Sequence, residues 1–301
     1  MSVQNYLLKK FLRHCYKPKF TPELTLAAAR QELDTVINNY MPTPCNSLQV
    51  ETQVVSGVNC ERIKHNTKRL NGTFLYVHGG CFAMGSALSH RGVTCEIAKE
   101  QLFDMVVPNY RLAPEHSNSA AVEDLLNVWI ELINNPNTIK PIVLGGDQAG
   151  AYLALQLMLQ LKQLSTPLPD AFIGISGLYD LSLTSASLLS NQELDCVNQL
   201  NVFERGINLF LATDADQEAL IDPLNTSLEH LPPVLLQVAN DEMLADDSRR
   251  LAETLVKHNV EVILEVWSDV PSCWHIAAVG LPEGRVAIKK IGKFIKKHCH
   301  R

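Results

Sequence analysis

The sequence predicts a mainly parallel β-sheet flanked by helices and roofed by a helical cap. Three observations carry that expectation. Short apolar runs of strand length alternate with longer runs of helical period over most of the 301 residues, as in a sheet covered by helices. Small-residue turns follow two of those strands directly, His78-Gly79-Gly80-Cys81 after 73–77 and Gly146-Asp147-Gln148-Ala149-Gly150 after 141–144. Two stretches, 1–45 and about 180–225, fall outside the alternation.

Residues 1–45 read as two helices, the second over 22–39. In the first, Leu7, Leu8, Phe11, Leu12 and Cys15 recur at helical spacing and make one apolar stripe. With Lys9, Lys10 and Arg13 interleaved, such a helix can lie on a membrane surface. Stripes of this kind more often face protein, so it is expected to cover a pocket mouth. Charge interrupts the segment too often for a signal-peptide core. Residues 49–64 read as an antiparallel pair turning near Gly57 at the sheet edge. Further strands are expected at 73–77, 103–107, 141–144, 171–175, 234–238 and 260–266, with helices at 120–134, 149–164, 248–258 and 286–297. Residues 180–225 are polar and irregular apart from a short helical stretch at 201–211. The expected organisation is therefore an N-terminal cap over 1–45 and an α/β core over 46–301, with a cap insertion near 180–225.

With 46% hydrophobic residues the chain can bury a large core. A net charge of −6 gives nucleic acid no general hold. No run of about 18 apolar residues is present, so stable membrane insertion is not expected. The eight cysteines, Cys15, Cys45, Cys60, Cys81, Cys95, Cys196, Cys273 and Cys299, are scattered without a CxxC pair. Reduced thiols in a cytoplasmic protein are the expectation.

Gly146-Asp147-Gln148-Ala149-Gly150 has the frame of a nucleophile elbow, a sharp strand-to-helix turn whose glycines let a strained residue project into a pocket. Gln148 stands at the nucleophile position, and an amide is not nucleophilic. Asp241 follows the strand at 234–238 and His275 follows that at 260–266. Residues just past strand ends line the ligand crevice of an open α/β sheet. Singly, Asp241 reads as a turn or capping residue and His275 as a core histidine; only the joint order of elbow, acid and histidine lifts them above that.

Together with Tyr110-Arg111-Leu112-Ala113-Pro114-Glu115-His116, these motifs resemble the hormonesensitive-lipase-like α/β-hydrolases, the group containing bacterial carboxylesterases. His78, Gly79, Gly80 and Cys81 match the HGGG oxyanion motif except at Cys81; 110–116 matches YRLAPEH; 146–150 matches GDSAG except at Gln148. The resemblance covers roughly 45–298 and implies an α/β-hydrolase fold. It also implies Asp241 as the acid, His275 as the general base, and Gly80, Cys81 and Ala149 as oxyanion-hole donors. His78, Gly79, Gly146, Asp147 and Gly150 would support the motif. Glu115 and His116 are expected to brace loops. A Cβ at Cys81 disfavours a positive φ and narrows the pocket.

Ser176 lacks elbow spacing, and neither Cys81 nor Cys273 lies on the elbow, so no substitute nucleophile is evident. Irregular ligand spacing gives no expected metal, and no cofactor is expected. Three functions stay open: a carboxylesterase scaffold silenced at Gln148, whose activity Gln148→Ser would restore; a pseudo-hydrolase holding a small apolar ligand; and a hydrolase in which His275 and Asp241 activate water directly. The expected partner is a small ester or apolar ligand. A homodimer is left open.

Overall fold

A computed structural model describes residues 2–21, 23–40, 47–212 and 220–299. Eight strands form one sheet in the order β1-β2-β4-β3-β5-β6-β7-β8. β1 (Leu48–Val55) and β2 (Val58–His65) are the antiparallel edge pair. Their turn lies at Ser56 (φ 46°) and Gly57 (φ 87°), a left-handed pair suited to a two-residue hairpin. β2 runs antiparallel to β4 (Phe103–Pro108). From there β3 (Gly72–Val77), β5 (Ile142–Asp147), β6 (Ala171–Ile175), β7 (Val234–Ala239) and β8 (Val262–Trp267) continue in parallel. The inner parallel strands are buried on both faces, which is why they read as unbroken apolar runs rather than alternating ones.

Helices cover both sides. α4 (Asn118–Asn134), α5 (Ala149–Gln163) and α8 (Ala245–Lys257) bury Leu125, Trp129, Leu153, Leu157 and Leu251 against one face. α3 (Arg91–Gln101) and α9 (Pro282–Cys299) bury Val93, Ile97, Ile291 and Phe294 against the other. Ser117 caps α4 by accepting the Ala120 N–H, and Pro282 opens α9 at a position where no N–H is required. The sequence expectation omitted α3. That helix is buried along 92–98, including Thr94 and Glu96, so it lacks the polar face by which helical period is recognised. Gly92 is needed there, since a Cβ would meet the Ile276 carbonyl at 1.9 Å.

Above the C-terminal ends of the parallel strands lie α1 (Val3–Phe11), α2 (Leu26–Tyr40), α6 (Ser187–Ser190) and α7 (Leu200–Leu211). The first helix continues as a π-type turn, Leu12–Tyr16. Backbone carbonyls tie the two segments together: Arg13 donates to Leu194 O at 3.0 Å, Lys17 to Gln192 O at 3.0 Å, and Gln199 to Phe20 O at 2.8 Å. Arg30 of α2 donates to Ala83 O and Ala113 O, and pairs with Glu115 at 2.7 Å. The expected bracing role of Glu115 thus has a partner. The expected boundary at 45/46, Cys45 itself, and 213–219 of the expected insertion lie outside the described residues.

Candidate functional site

β5 ends at Asp147 and α5 begins at Ala149, so the whole change of direction falls on Gln148, at φ 46° and ψ −118°. Left-handed backbone at a residue with a Cβ costs about 1–3 kcal/mol and persists only where the surroundings impose it. Here they do: Gln148 N–H donates to Ile175 O at 3.0 Å, and the Gln148 carbonyl accepts from Leu178 N at 3.2 Å. Close backbone crossing fixes the flanking glycines; a Cβ at Gly146 or Gly150 would come within 2.4 Å of Val77 O. The side chain lines a cavity of about 520 Å³ beneath the cap and donates from Nε2 to Asn198 Oδ1 at 2.8 Å. Asn198 in turn donates to Asp195, which also accepts from Met243 N. Gln148 lines the cavity without filling it.

The turn after β3 forms the adjoining wall. Gly80 (φ 122°), Cys81 (φ 50°) and Phe82 (φ 63°) are all left-handed, so Cys81 does take the conformation its Cβ disfavours. Gly206 of α7 makes room: a Cβ there would sit 2.6 Å from the Cys81 Cβ. Gly80 and Cys81 line the cavity, whereas Ala149 is buried at the start of α5 and does not. Burial pushes the Cys81 thiol up to about 12, which leaves it protonated and weakly nucleophilic at neutral pH.

Asp147 is the hub of this wall. Its Oδ1 accepts from Tyr76 Oη at 2.8 Å and Gly79 N at 3.2 Å; its Oδ2 faces His90 Nε2 at 3.2 Å and Cys273 Sγ at 3.8 Å. Burial alone would raise Asp147, but His90 and the hydrogen bonds outweigh it and the carboxyl is lowered. Burial alone would lower His90, but Asp147 and the Ser86 carbonyl carry it up. The two form a buried ion pair. His78 stacks on Tyr110 at 4.3 Å, and burial with the neighbouring His90 lowers it to about 3. His78 is therefore a neutral packing group.

Opposite, the structure departs from the expected triad. Asp241 is half-buried and accepts from the Asn240 side chain at 3.0 Å; it does not line the cavity. His275 is fully buried, with Nε2 2.7 Å from Gln237 Oε1 of β7. Burial lowers it to about 3, and it does not line the cavity either. The two are not brought together. The cause lies in the loop after β8: Cys273 is left-handed (φ 51°) and starts a short 3-10 turn, Trp274–Ala277. That turn directs Ser272 and Cys273 into the cavity and leaves His275 over β7.

The sequence reading missed Glu242 and Ser272. Glu242 is buried; its Oε2 accepts from Ser176 Oγ at 2.8 Å and Ala239 N at 3.2 Å. Burial and Asp195 push it from 4.5 up to about 8, although Ser176, Ala239 N–H and Ser272 oppose the shift. Ser272 thus stands between a buried acid and the cavity that Gln148 lines. Glu242 directly follows Asp241, and the side chain that turns inward is a matter of backbone register. Ser176 is committed as well, donating to Glu242 and accepting from Cys273 N at 3.1 Å. Burial and Asp147 raise the Cys273 thiol. Among the described residues no group of three or more potential metal ligands converges.

Most of the cavity's remaining lining is apolar. Leu8, Phe11, Tyr16, Phe20, Val202 and Phe203 come from the cap. Among the described lining residues there is no lysine, arginine or glutamate, and Asp147 and His90 satisfy each other. The lining carries no unpaired charge; its polar side chains include Gln148 and Ser272 on the floor and Gln4, Asn198 and Gln199 in the cap.

A profile of the alpha/beta hydrolase fold matches residues 74–276. The chain is 30% identical to an esterase of Acinetobacter venetianus over 96% of this chain and 95% of that one. It is 34% identical to an acetyl-hydrolase of Streptomyces hygroscopicus over 74% and 75% respectively. Among solved structures, an esterase from the bacterial hormone-sensitive lipase family superposes with a TM-score of 0.90, at 32% identity and 99% coverage of both chains.

Proposed function

The chain belongs to the α/β-hydrolase family, in its hormone-sensitive-lipase-like group, and from that premise we propose that it holds an uncharged, mainly apolar ligand without cleaving it through a serine. One observation carries this reading: among the described histidines only His90 lines the cavity, and its ring is committed to Asp147. Gln148 takes the nucleophile position as a hydrogen-bonding anchor; beyond its bond to Asn198 the amide has an oxygen and a second N–H to offer. Ser272 takes the place of a base, with Glu242 behind it as the acid. The Gly80 and Cys81 N–H groups would meet a ligand carbonyl oxygen, the use to which oxyanion donors are put. A volume of about 520 Å³ suits a small molecule, and a lining without free charge disfavours an ionised one. Retained esterase activity would instead need a base that this floor does not supply.

The test compares hydrolysis of a short-chain p-nitrophenyl ester by the native chain, Gln148→Ser, and Gln148→Ser/Ser272→His, beside a thermal-shift screen of neutral esters, amides and ketones on the native chain. Native protein and Gln148→Ser should be inactive, while the double variant should gain about 10²–10⁴-fold over Gln148→Ser, the usual contribution of a placed general base. At least one neutral compound should raise the melting temperature. Turnover by the native chain, or full activity from Gln148→Ser alone, would overturn the reading.

A further inference from the structure

Residues 1–20 contain Lys9, Lys10, Arg13, Lys17 and Lys19 and no aspartate or glutamate. Against a net charge of −6 for the chain, that segment is +5 and the rest is −11. The structure divides its side chains into two faces. Leu8, Phe11, Leu12 and Tyr16 turn inward and line the cavity. Outward point Val3 (72% exposed), Tyr6 (46%) and Leu7 (59%), at the i, i+3, i+4 spacing of one helix face. The same stripe continues into exposed Lys10, Arg13 and His14. Lys10 Nζ lies 4.7 Å from the Tyr6 ring centroid. Beside it Arg13 holds the carbonyl of Leu194, itself 50% exposed; Glu193 is the neighbouring exposed carboxylate, outnumbered by the cations. Leu7 is both exposed and a lining residue, so the cavity opens at this face.

We propose that this face docks on the headgroup region of an anionic lipid bilayer, with Val3, Tyr6, Leu7 and Leu194 in the acyl boundary and Lys10 and Arg13 at the phosphates. Aliphatic side chains gain nothing from a nucleic-acid backbone, which is held through its phosphates. A second copy meeting this face by two-fold symmetry would set cation against cation. A lipid surface satisfies both halves of the patch at once. It also sets the mouth of an apolar cavity against a reservoir of apolar molecules. The contact is peripheral, since among the described residues no helix is long and apolar enough to span a membrane.

The experiment is co-sedimentation of the full chain with vesicles of phosphatidylcholine alone or mixed equally with phosphatidylglycerol, at low and high salt. Binding should require phosphatidylglycerol and weaken with salt. Lys10→Glu should reduce it by about fivefold or more, the weight of one cation near such a surface. Val3→Glu should also reduce it, while circular dichroism and melting temperature stay unchanged for both. No binding, equal binding to both vesicles, or binding indifferent to both variants would overturn the proposal. Self-association abolished by Lys10→Glu would overturn it in favour of a second copy. The readout uses no cavity ligand, so its failure and that of the proposed function are distinguishable.

Discussion

The two walls of the cavity differ in how completely their polar groups are satisfied. The wall from β3 and β5 is organised around Asp147, both of whose oxygens are engaged. In the wall from β7 and β8, Glu242 Oε1, Trp274 Nε1 and His275 Nδ1 have no protein hydrogen-bond partner among the described residues. Buried polar atoms are ordinarily paired with protein or with ordered water. The first wall is a closed network that holds a strained turn in position. The second holds the buried acid Glu242, to which Ser176 Oγ and Ala239 N–H donate.

Substitutions can break or sharpen that contrast. The largest effect is expected from Asp147→Asn, which leaves His90 without its counter-charge and weakens the acceptor for Tyr76 and Gly79. Removing one partner of a buried ion pair costs about 3–5 kcal/mol. The urea midpoint should fall accordingly with an unchanged m-value, and a loss under ~1 kcal/mol would show that the hub is not what stabilises this wall.

Glu242→Gln probes the other wall through pH. A carboxyl raised to about 8 from 4.5 keeps its proton in the folded chain while the unfolded chain releases it. Native stability therefore falls as pH rises between those values, by up to about 1.4 kcal/mol per pH unit, and levels off above. Asp247, raised to about 6 chiefly by burial, falls in the same direction over a lower range. His90, being raised, contributes stability that is present at low pH and lost as pH rises through its folded value. The informative quantity is therefore the difference between variant and native chain. Glu242→Gln should gain relative stability steadily across that window, as read by urea unfolding at successive pH values; parallel profiles would mean the acid is ionised throughout.

Gly206→Ala tests the joint between the first wall and the cap. The added methyl would fall 2.5 Å from Cys81 O and 2.6 Å from its Cβ, and overpacking of this kind costs about 1–3 kcal/mol. Pairing it with Cys81→Gly, which removes the Cβ contact but not the one to the carbonyl, should recover part of the loss in thermal unfolding. Additive losses would place the strain elsewhere.

How much was legible in the sequence follows the same division. The strand–helix alternation was readable because period and apolar runs are local properties, and the hairpin at Ser56-Gly57 was readable from its glycine. The elbow and the Gly80–Cys81 turn were readable because tight backbone crossings leave a fixed pattern of small residues. α3 was not, since burial on all sides erases the polar face that marks a helix. Asp241 and His275 fitted their motifs by type and order, yet the structure directs Asp241 to Asn240 and His275 to Gln237, with Glu242 beside Ser272.

The sequence by itself therefore determined the layered α/β architecture, the strained turn at Gln148, the glycine turn after β3 and the basic, apolar character of the first helix. Only the tertiary structure decided which of Asp241 and Glu242 turns inward, that His275 lies over the sheet while Ser272 faces the cavity, and that Gly206 makes room for Cys81. Period and turn chemistry act over a few adjacent residues. Side-chain direction in a loop depends on left-handed residues such as Cys273 and on partners more than thirty residues away, as His275 and Gln237 are, and folding alone brings those together.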